Sequence, residues 1–216
     1  MTLDAFYLTH SRITRSLKKF ISEQEKALDL EVFESFLGSL NEILKSAKLE
    51  LRSVPAGPLR ARKLHQMVNE EIDREKEIES SCRKGCSACC YIEVEITSYE
   101  LEILESLVRN GHPIDHQRLA LQAVREVADP LWKKGSHLAQ NKCFFLNPVG
   151  DCSIYEDRPV MCRRHSVTSP ATLCATLDAP IVIRYFPKVD VIISADNEDP
   201  TLQIGPLAKM LSQRLS

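Results

Sequence analysis

The sequence has no cysteine in residues 1–81 and none in residues 175–216; all eight lie between positions 82 and 174. Thiols scattered for core packing would not respect such borders, so these belong to one module. Glycine is scarce, with seven in 216 residues, and no two stand as Gly-x-Gly. That excludes the usual glycine-rich loop for a dinucleotide or a methyl donor. Neither sign of charge dominates, the net being −2, so no global field draws the chain to nucleic acid or acidic lipid, and neither is expected as a partner. Long apolar runs are missing too. Stretches such as Ile181-Val182-Ile183 are far too short to span a bilayer, and no membrane association is expected. The start, Met1-Thr2-Leu3-Asp4, lacks the basic residues and unbroken apolar stretch of a secretory signal. A cytoplasmic protein is the expectation. There is no internal repeat and no low-complexity tract.

What is present is ordinary globular composition, 44% hydrophobic and 27% charged, enough to bury a core without cross-links. Residues 1–81 read as helices. Leu3, Phe6, Ile13, Leu17, Phe20 and Ile21 recur near helical spacing, as do Val32, Phe33, Phe36, Leu37, Leu40, Ile43 and Leu44. Pro55-Ala56-Gly57-Pro58 marks a loop, and a more polar helix follows with Leu64, Met67, Val68 and Ile72 as its stripe. The charged run from Asn69 to Glu77 reads as a solvated helix face. Tyr91–Ile96 alternates apolar with acidic, a half-buried strand pattern, and Thr97 with Glu100 forms a capping box for a helix that Asn110-Gly111 ends. A further helix is predicted from Asp115 to Ala128. Residues 141–180 carry neither period and five prolines or glycines, an irregular stretch that needs a covalent or functional reason. Ile181–Phe186 and Val189–Ser194 read as strands, and Pro206–Leu215 as a terminal helix.

The cysteines supply the reason for the irregular stretch. The first group is Cys82, Cys86, Cys89 and Cys90; the second, more widely spaced, is Cys143, Cys152, Cys162 and Cys174. In a reducing compartment dense thiols are more often ligands or redox groups than disulfides. Two residues between Cys86 and Cys89 let one turn present two sulfurs to one centre, with Gly85 supplying backbone freedom. Thiolates suit zinc and iron–sulfur centres rather than calcium or magnesium. Adjacent Cys89 and Cys90 diverge unless their peptide sits in a tight turn. Arg83, Lys84, Arg158, Arg163 and Arg164 lie close in sequence to cysteines and can offset the negative charge of a thiolate centre. Two closed four-cysteine zinc sites, or one iron–sulfur cluster with spare thiols, both satisfy the count.

Cys82-x₃-Cys86-x₂-Cys89-Cys90, then Cys143-Phe144-Phe145-Leu146, then the run from Cys152 through Ile154-Tyr155 and Arg158-Pro159 to Cys162-Arg163 resemble the zinc/iron-chelating cysteine-cluster family, also called the YkgJ type. Its pattern is Cys-x-x-Cys-x-x-Cys-Cys, Cys-x-Phe-Leu and Cys-x-Ile-Tyr-x-x-Arg-Pro-x-x-Cys-Arg. The resemblance covers about residues 82–165. Three residues, not two, separate Cys82 from Cys86, and Cys174 lies outside the pattern. The resemblance implies a zinc or iron centre. Some larger members resemble flagellin lysine methylases that use S-adenosylmethionine, but the missing Gly-x-Gly argues against carrying that activity over.

The expected architecture is α+β. An N-terminal helical region, residues 1–81, packs on a small irregular cysteine-cluster domain, residues 82–180, with few strands; residues 181–216 complete it. The expected function is metal binding, of zinc or iron and with an iron–sulfur cluster among the options, in a structural or redox role. Metal ligands are drawn from Cys82, Cys86, Cys89, Cys90, Cys143, Cys152, Cys162 and Cys174. Two rivals stay open: an enzyme using the centre for methyl transfer or redox chemistry, and a metal-stapled module that docks a protein partner through its N-terminal helices. His165 is a candidate neighbour of the centre. His10, His65, His112, His116 and His137 have no partners at ligand spacing, Tyr155 reads as a core ring, Glu156 and Asp157 as arginine partners, and Trp132 as packing.

Overall fold

The computed structural model describes residues 1–75 and 79–216. In chain order its helices are α1 (Leu3–Thr9), α2 (Arg15–Ala27), α3 (Leu30–Arg52), α4 (Pro58–Arg74), α5 (Ser98–Arg109), α6 (His116–Ala123), α7 (Val160–Arg164), α8 (Pro187–Asn197) and α9 (Leu207–Leu215). The strands are β1 (Glu95–Thr97) and β2 (Ile204–Pro206), with short 3₁₀ turns among them. Mostly helical with one small sheet, this agrees with the α+β expectation. The chain forms two compact units: Met1–Arg74 with Phe186–Leu202, and Glu75–Tyr185 with Gln203–Ser216.

The first unit is helical because its apolar residues keep helical spacing. On α3, Phe33, Leu37, Leu40, Leu44, Ala47 and Leu51 are all buried. They meet Leu17 and Ile21 of α2 and Ala61, Leu64, Met67 and Val68 of α4 in one buried core. Each fully buried leucine or phenylalanine contributes about 1.5–3 kcal/mol.

At the centre of this unit lies α8, packed against α2, α3 and α4. Residues 189–194, read from sequence as a strand, are helical here. Eight consecutive residues, Val189 to Asp196, are buried. A helix buried on every side shows no amphipathic stripe, and a run of valine and isoleucine then looks like a strand. Pro187 opens α8 in its first turn, where no backbone donor is needed.

The polar groups on α8 are paired. The Thr14 hydroxyl donates to Asp190 Oδ1 at 2.8 Å, and Thr14 N–H donates to Ser194 Oγ at 3.0 Å. Thr14 also caps α2 by accepting from Leu17 N–H. Just past α8, Glu198 binds both Lys48 (2.9 Å) and His10 Nδ1, while His10 Nε2 meets Asn41 at 3.0 Å. His10, left without a role by the sequence, is therefore a buried structural histidine. Glu71 departs from the solvated-face reading as well: it is 3% exposed and pairs with Arg74 and Lys188. Lys76 and Glu77, from the same predicted face, lie outside the described residues.

In the second unit β1 and β2 pair antiparallel, Ile96 opposite Gly205. Only Glu95–Thr97 of the predicted 91–96 strand and its neighbour is paired, because Ala88–Tyr91 turns tightly first. The predicted 181–186 strand is reduced to a bridge between Val167 and Ile183, flanked by Thr168 N–H to Val182 O and Arg184 N–H to Ser166 O. The capping box at Thr97 and Glu100 is present, and Asn110 closes α5. The helix predicted to Ala128 stops at Ala123, and Ala128 has φ +60°, outside the helical region. The core of this unit gathers Ile96, Leu101, Leu104, Leu119, Phe144, Phe145, Ile154, Leu207, Ala208 and Leu211, with Cys143 and Cys152 packed at its margin.

Candidate metal centre

Four short pieces of chain carry the cysteines. Cys82 and Cys86 flank a turn in which Cys86 N–H bonds Arg83 O, and Gly85 takes φ +90°. A Cβ at Gly85 would meet Asp151 Oδ1 at an ordinary 3.5 Å, so backbone conformation rather than space calls for glycine there. Cys89 and Cys90 sit in the tight turn Ala88–Tyr91. That turn keeps the neighbouring side chains together rather than apart: the Cys90 thiol donates to the Cys89 sulfur.

Cys143 and Cys152 come from a hairpin. Leu146 bridges Cys152, Ser153 N–H bonds Phe145 O, and Asn147 ties down the tip by accepting from Asp151 N–H at 2.8 Å. Cys143 N–H donates to Cys90 O at 2.7 Å and so joins the two cysteine groups directly. Cys162 rides on α7. The N-terminus of α7 is held by Glu100, whose Oε1 accepts from Val160 N–H at 2.6 Å while its Oε2 completes the cap of α5. Cys174 lies in the 3₁₀ turn Ala171–Ala175, which packs on the turn holding Cys89 and Cys90.

The thiols feel one another across these pieces. Cys90 is raised above the ordinary thiol range, first by its bond to Cys89, then by burial and by the charges of Cys89, Cys143 and Cys162. Burial pushes Cys143 up to about 12, with the charges of Cys152 and Cys89 adding to it and Arg118 opposing. Burial likewise holds Cys162 well up, helped by Cys143, Cys89 and Cys152. Cys174 is raised by burial and then by Cys82, Cys86 and Cys89. Cys89 is the exception. The bond from Cys90 brings it down to about 7 despite burial, and Arg158 helps. Cys89 is thus the thiol whose charge acts on Cys90, Cys143, Cys152, Cys162 and Cys174.

All eight are also free thiols, half-buried and unbridged. Their donor chemistry fits zinc or iron. Among the described residues, however, no three His, Cys, Asp or Glu side chains stand together as a ready-formed ion site.

Around them, Arg158 stacks on Tyr155 with Cζ 4.1 Å from the ring centre, and Lys84 Nζ lies 5.7 Å from the same ring. Tyr155 is therefore a half-buried platform for cations rather than a plain core ring. Arg163 is used differently from Arg158. Its guanidinium donates to Arg158 O at 2.8 Å and to Glu156 O, bracing the loop before Cys162. Burial depresses His165, and Arg164 adds to that. His112 Nε2 meets Ser153 Oγ, and His137 Nε2 accepts from Leu177 N–H. Trp132 packs under Arg125, 4.5 Å away. Sequence reasoning missed two contributors. Glu100 was legible only as a cap, because its second oxygen serves a helix sixty residues on. Arg118 sits far from Cys143 in sequence, and nothing there marks its charge as acting on that thiol.

No helix among the described residues is long and apolar enough to cross a membrane. No curated protein and no solved structure matches the chain. The profile of the family CxxCxxCC, described as "Putative zinc- or iron-chelating domain", matches residues 81–188, half of the chain, and takes in Cys174 beyond the sequence motif. The chain belongs to the CxxCxxCC family of zinc- or iron-chelating domains.

Proposed function

We propose that this protein binds a zinc or iron centre through its clustered cysteines, with Cys82, Cys86, Cys89, Cys90, Cys143, Cys152, Cys162 and Cys174 as the ligand pool, and that the centre has a structural or redox role. The observation that carries the reading is the 2.7 Å bond from Cys143 N–H to Cys90 O. It anchors two distant groups of free thiols in one place where their charges act on one another. Metal supplies what these thiols lack. Thiols crowded together and partly buried resist ionisation singly, whereas a bound cation stabilises the thiolates together. Arg158 and Arg118 already offset part of that negative charge at Cys89, Cys152 and Cys143.

The test is metal analysis of the full chain purified without oxygen, beside Cys86→Ser. The wild type should carry stoichiometric zinc or iron. Cys86→Ser should lose metal, and its 140–180 region should become sensitive to proteolysis. An unchanged metal content and melting curve in Cys86→Ser would remove that thiol from the centre.

A further inference from the structure

Arg158 has an unusual environment for a cation. Its guanidinium carbon lies 4.1 Å from the centre of the Tyr155 ring, and Pro159 directly after it fixes the chain in an extended conformation at φ −57°, ψ 141°. Its carbonyl is held from below by Arg163. The backbone of Arg158 and its guanidinium thus each have a partner. Yet its Nε is buried without a hydrogen-bond acceptor among the described residues. A buried N–H donor without an acceptor costs about 1–3 kcal/mol, which is tolerable where a further acceptor arrives on ligand binding. Its charge acts on both Cys89, in the tight turn, and Cys152, in the hairpin.

We propose that Arg158 is a positioning residue of the metal centre, whose buried Nε–H donates to a metal-bound sulfur of Cys89 or Cys152 and so sets how tightly the centre holds its ion. The inference rests on the metal-binding reading above and adds to it the donor that orients the ligands. Hydrogen bonds from outside the ligand shell tune metal affinity by roughly 10–100-fold. Tyr155 acts one step further out. Its ring offers the guanidinium a face that competes for none of its N–H groups, which leaves Nε–H available to a sulfur acceptor.

Titration of the metal-free full chain with Co²⁺, against a chromophoric chelator, tests this. The readouts are the dissociation constant and the position of the sulfur-to-cobalt charge-transfer band. Arg158→Gln should bind roughly 10–100-fold more weakly than wild type, with a shifted band. Arg158→Lys keeps the charge and most of the stem but lacks Nε–H, and should recover only part of the loss. Tyr155→Leu should weaken binding in the same direction. Should Arg158→Gln fail to fold, Arg158→Lys decides. If Arg158→Lys matches wild type in both affinity and band position, charge alone is at work and the donor role is overturned, while the metal-binding reading stands. If wild type itself gives no charge-transfer band, the metal-binding reading and this inference fall together.

Discussion

Cys89 and Cys143 differ in acidity for reasons visible around each sulfur, and the difference fixes the pH behaviour of the metal-free protein. Cys89, brought down to about 7 by the Cys90 thiol, ionises near neutrality. Cys143, pushed up to about 12 by burial, does not. Brief alkylation of the metal-free protein at pH 7.5, read by peptide mass mapping, should therefore modify Cys89 first and leave Cys143 and Cys162 intact; equal labelling of all three would contradict this. The stability consequences have opposite signs. Cys143, raised in the fold, stabilises the metal-free protein fully below its ordinary value near 9 and loses that contribution as pH climbs toward 12. Cys89, lowered in the fold, contributes above the ordinary value and loses its contribution as pH falls through about 7. Metal must displace protons from Cys90, Cys143 and Cys162, so affinity should rise with pH, with proton release measurable in a weakly buffered titration.

Glu100 is the other residue on which the site turns. It is 1% exposed and serves two helix starts at once, those of α5 and α7. Glu100→Ala should destabilise the protein by about 3 kcal/mol, measured by urea unfolding, and free the N-terminus that positions Cys162. A loss below about 0.5 kcal/mol would mean α7 is held by other contacts. At this scale the sequence was informative about identity and poor about direction. The two cysteine groups and the nearby Arg158 are read from spacing, and the family they indicate is the one the chain belongs to. The interaction of Cys89 with Cys90, the second bond of Glu100 and the influence of Arg118 on Cys143 depend on chain reversals that spacing does not encode.

Among the elements, α8 shows where periodicity fails. Its apolar residues face every direction, so the sequence presents no stripe, and β-branched valines and isoleucines complete the likeness to a strand. The correct element is set by packing against α2, α3 and α4. Amphipathic α2 and α3, by contrast, show their buried faces in the sequence, and Thr97 with Glu100 announces α5. The polar side of α8 gives a sharp test. Thr14 caps α2 and supplies Asp190 with a donor. Thr14→Val removes both roles and should cost about 2 kcal/mol in thermal or chemical unfolding. Thr14→Ser, which keeps the hydroxyl, should restore most of it. A larger loss in Thr14→Ser than in Thr14→Val would show that the methyl contact, not the hydroxyl, holds α2 to α8.

In the molecule as a whole, all eight cysteines belong to the unit formed by Glu75–Tyr185 and Gln203–Ser216. Its core stops at Cys143 and Cys152, and beyond it the 141–180 stretch folds with turns and bridges rather than long elements. Sulfur–metal bonds are the cross-links that such a stretch lacks, so stripping metal with a chelator should lower the melting temperature and raise proteolysis within residues 141–180, while restoring zinc or iron reverses both. X-ray absorption at the zinc or iron edge, on the full chain purified without oxygen, tests the claim most directly. A stoichiometric metal whose nearest shell is sulfur, at about 2.3 Å if the metal is zinc, is the expected result. A shell of oxygen and nitrogen alone, or no stoichiometric zinc or iron, would contradict it.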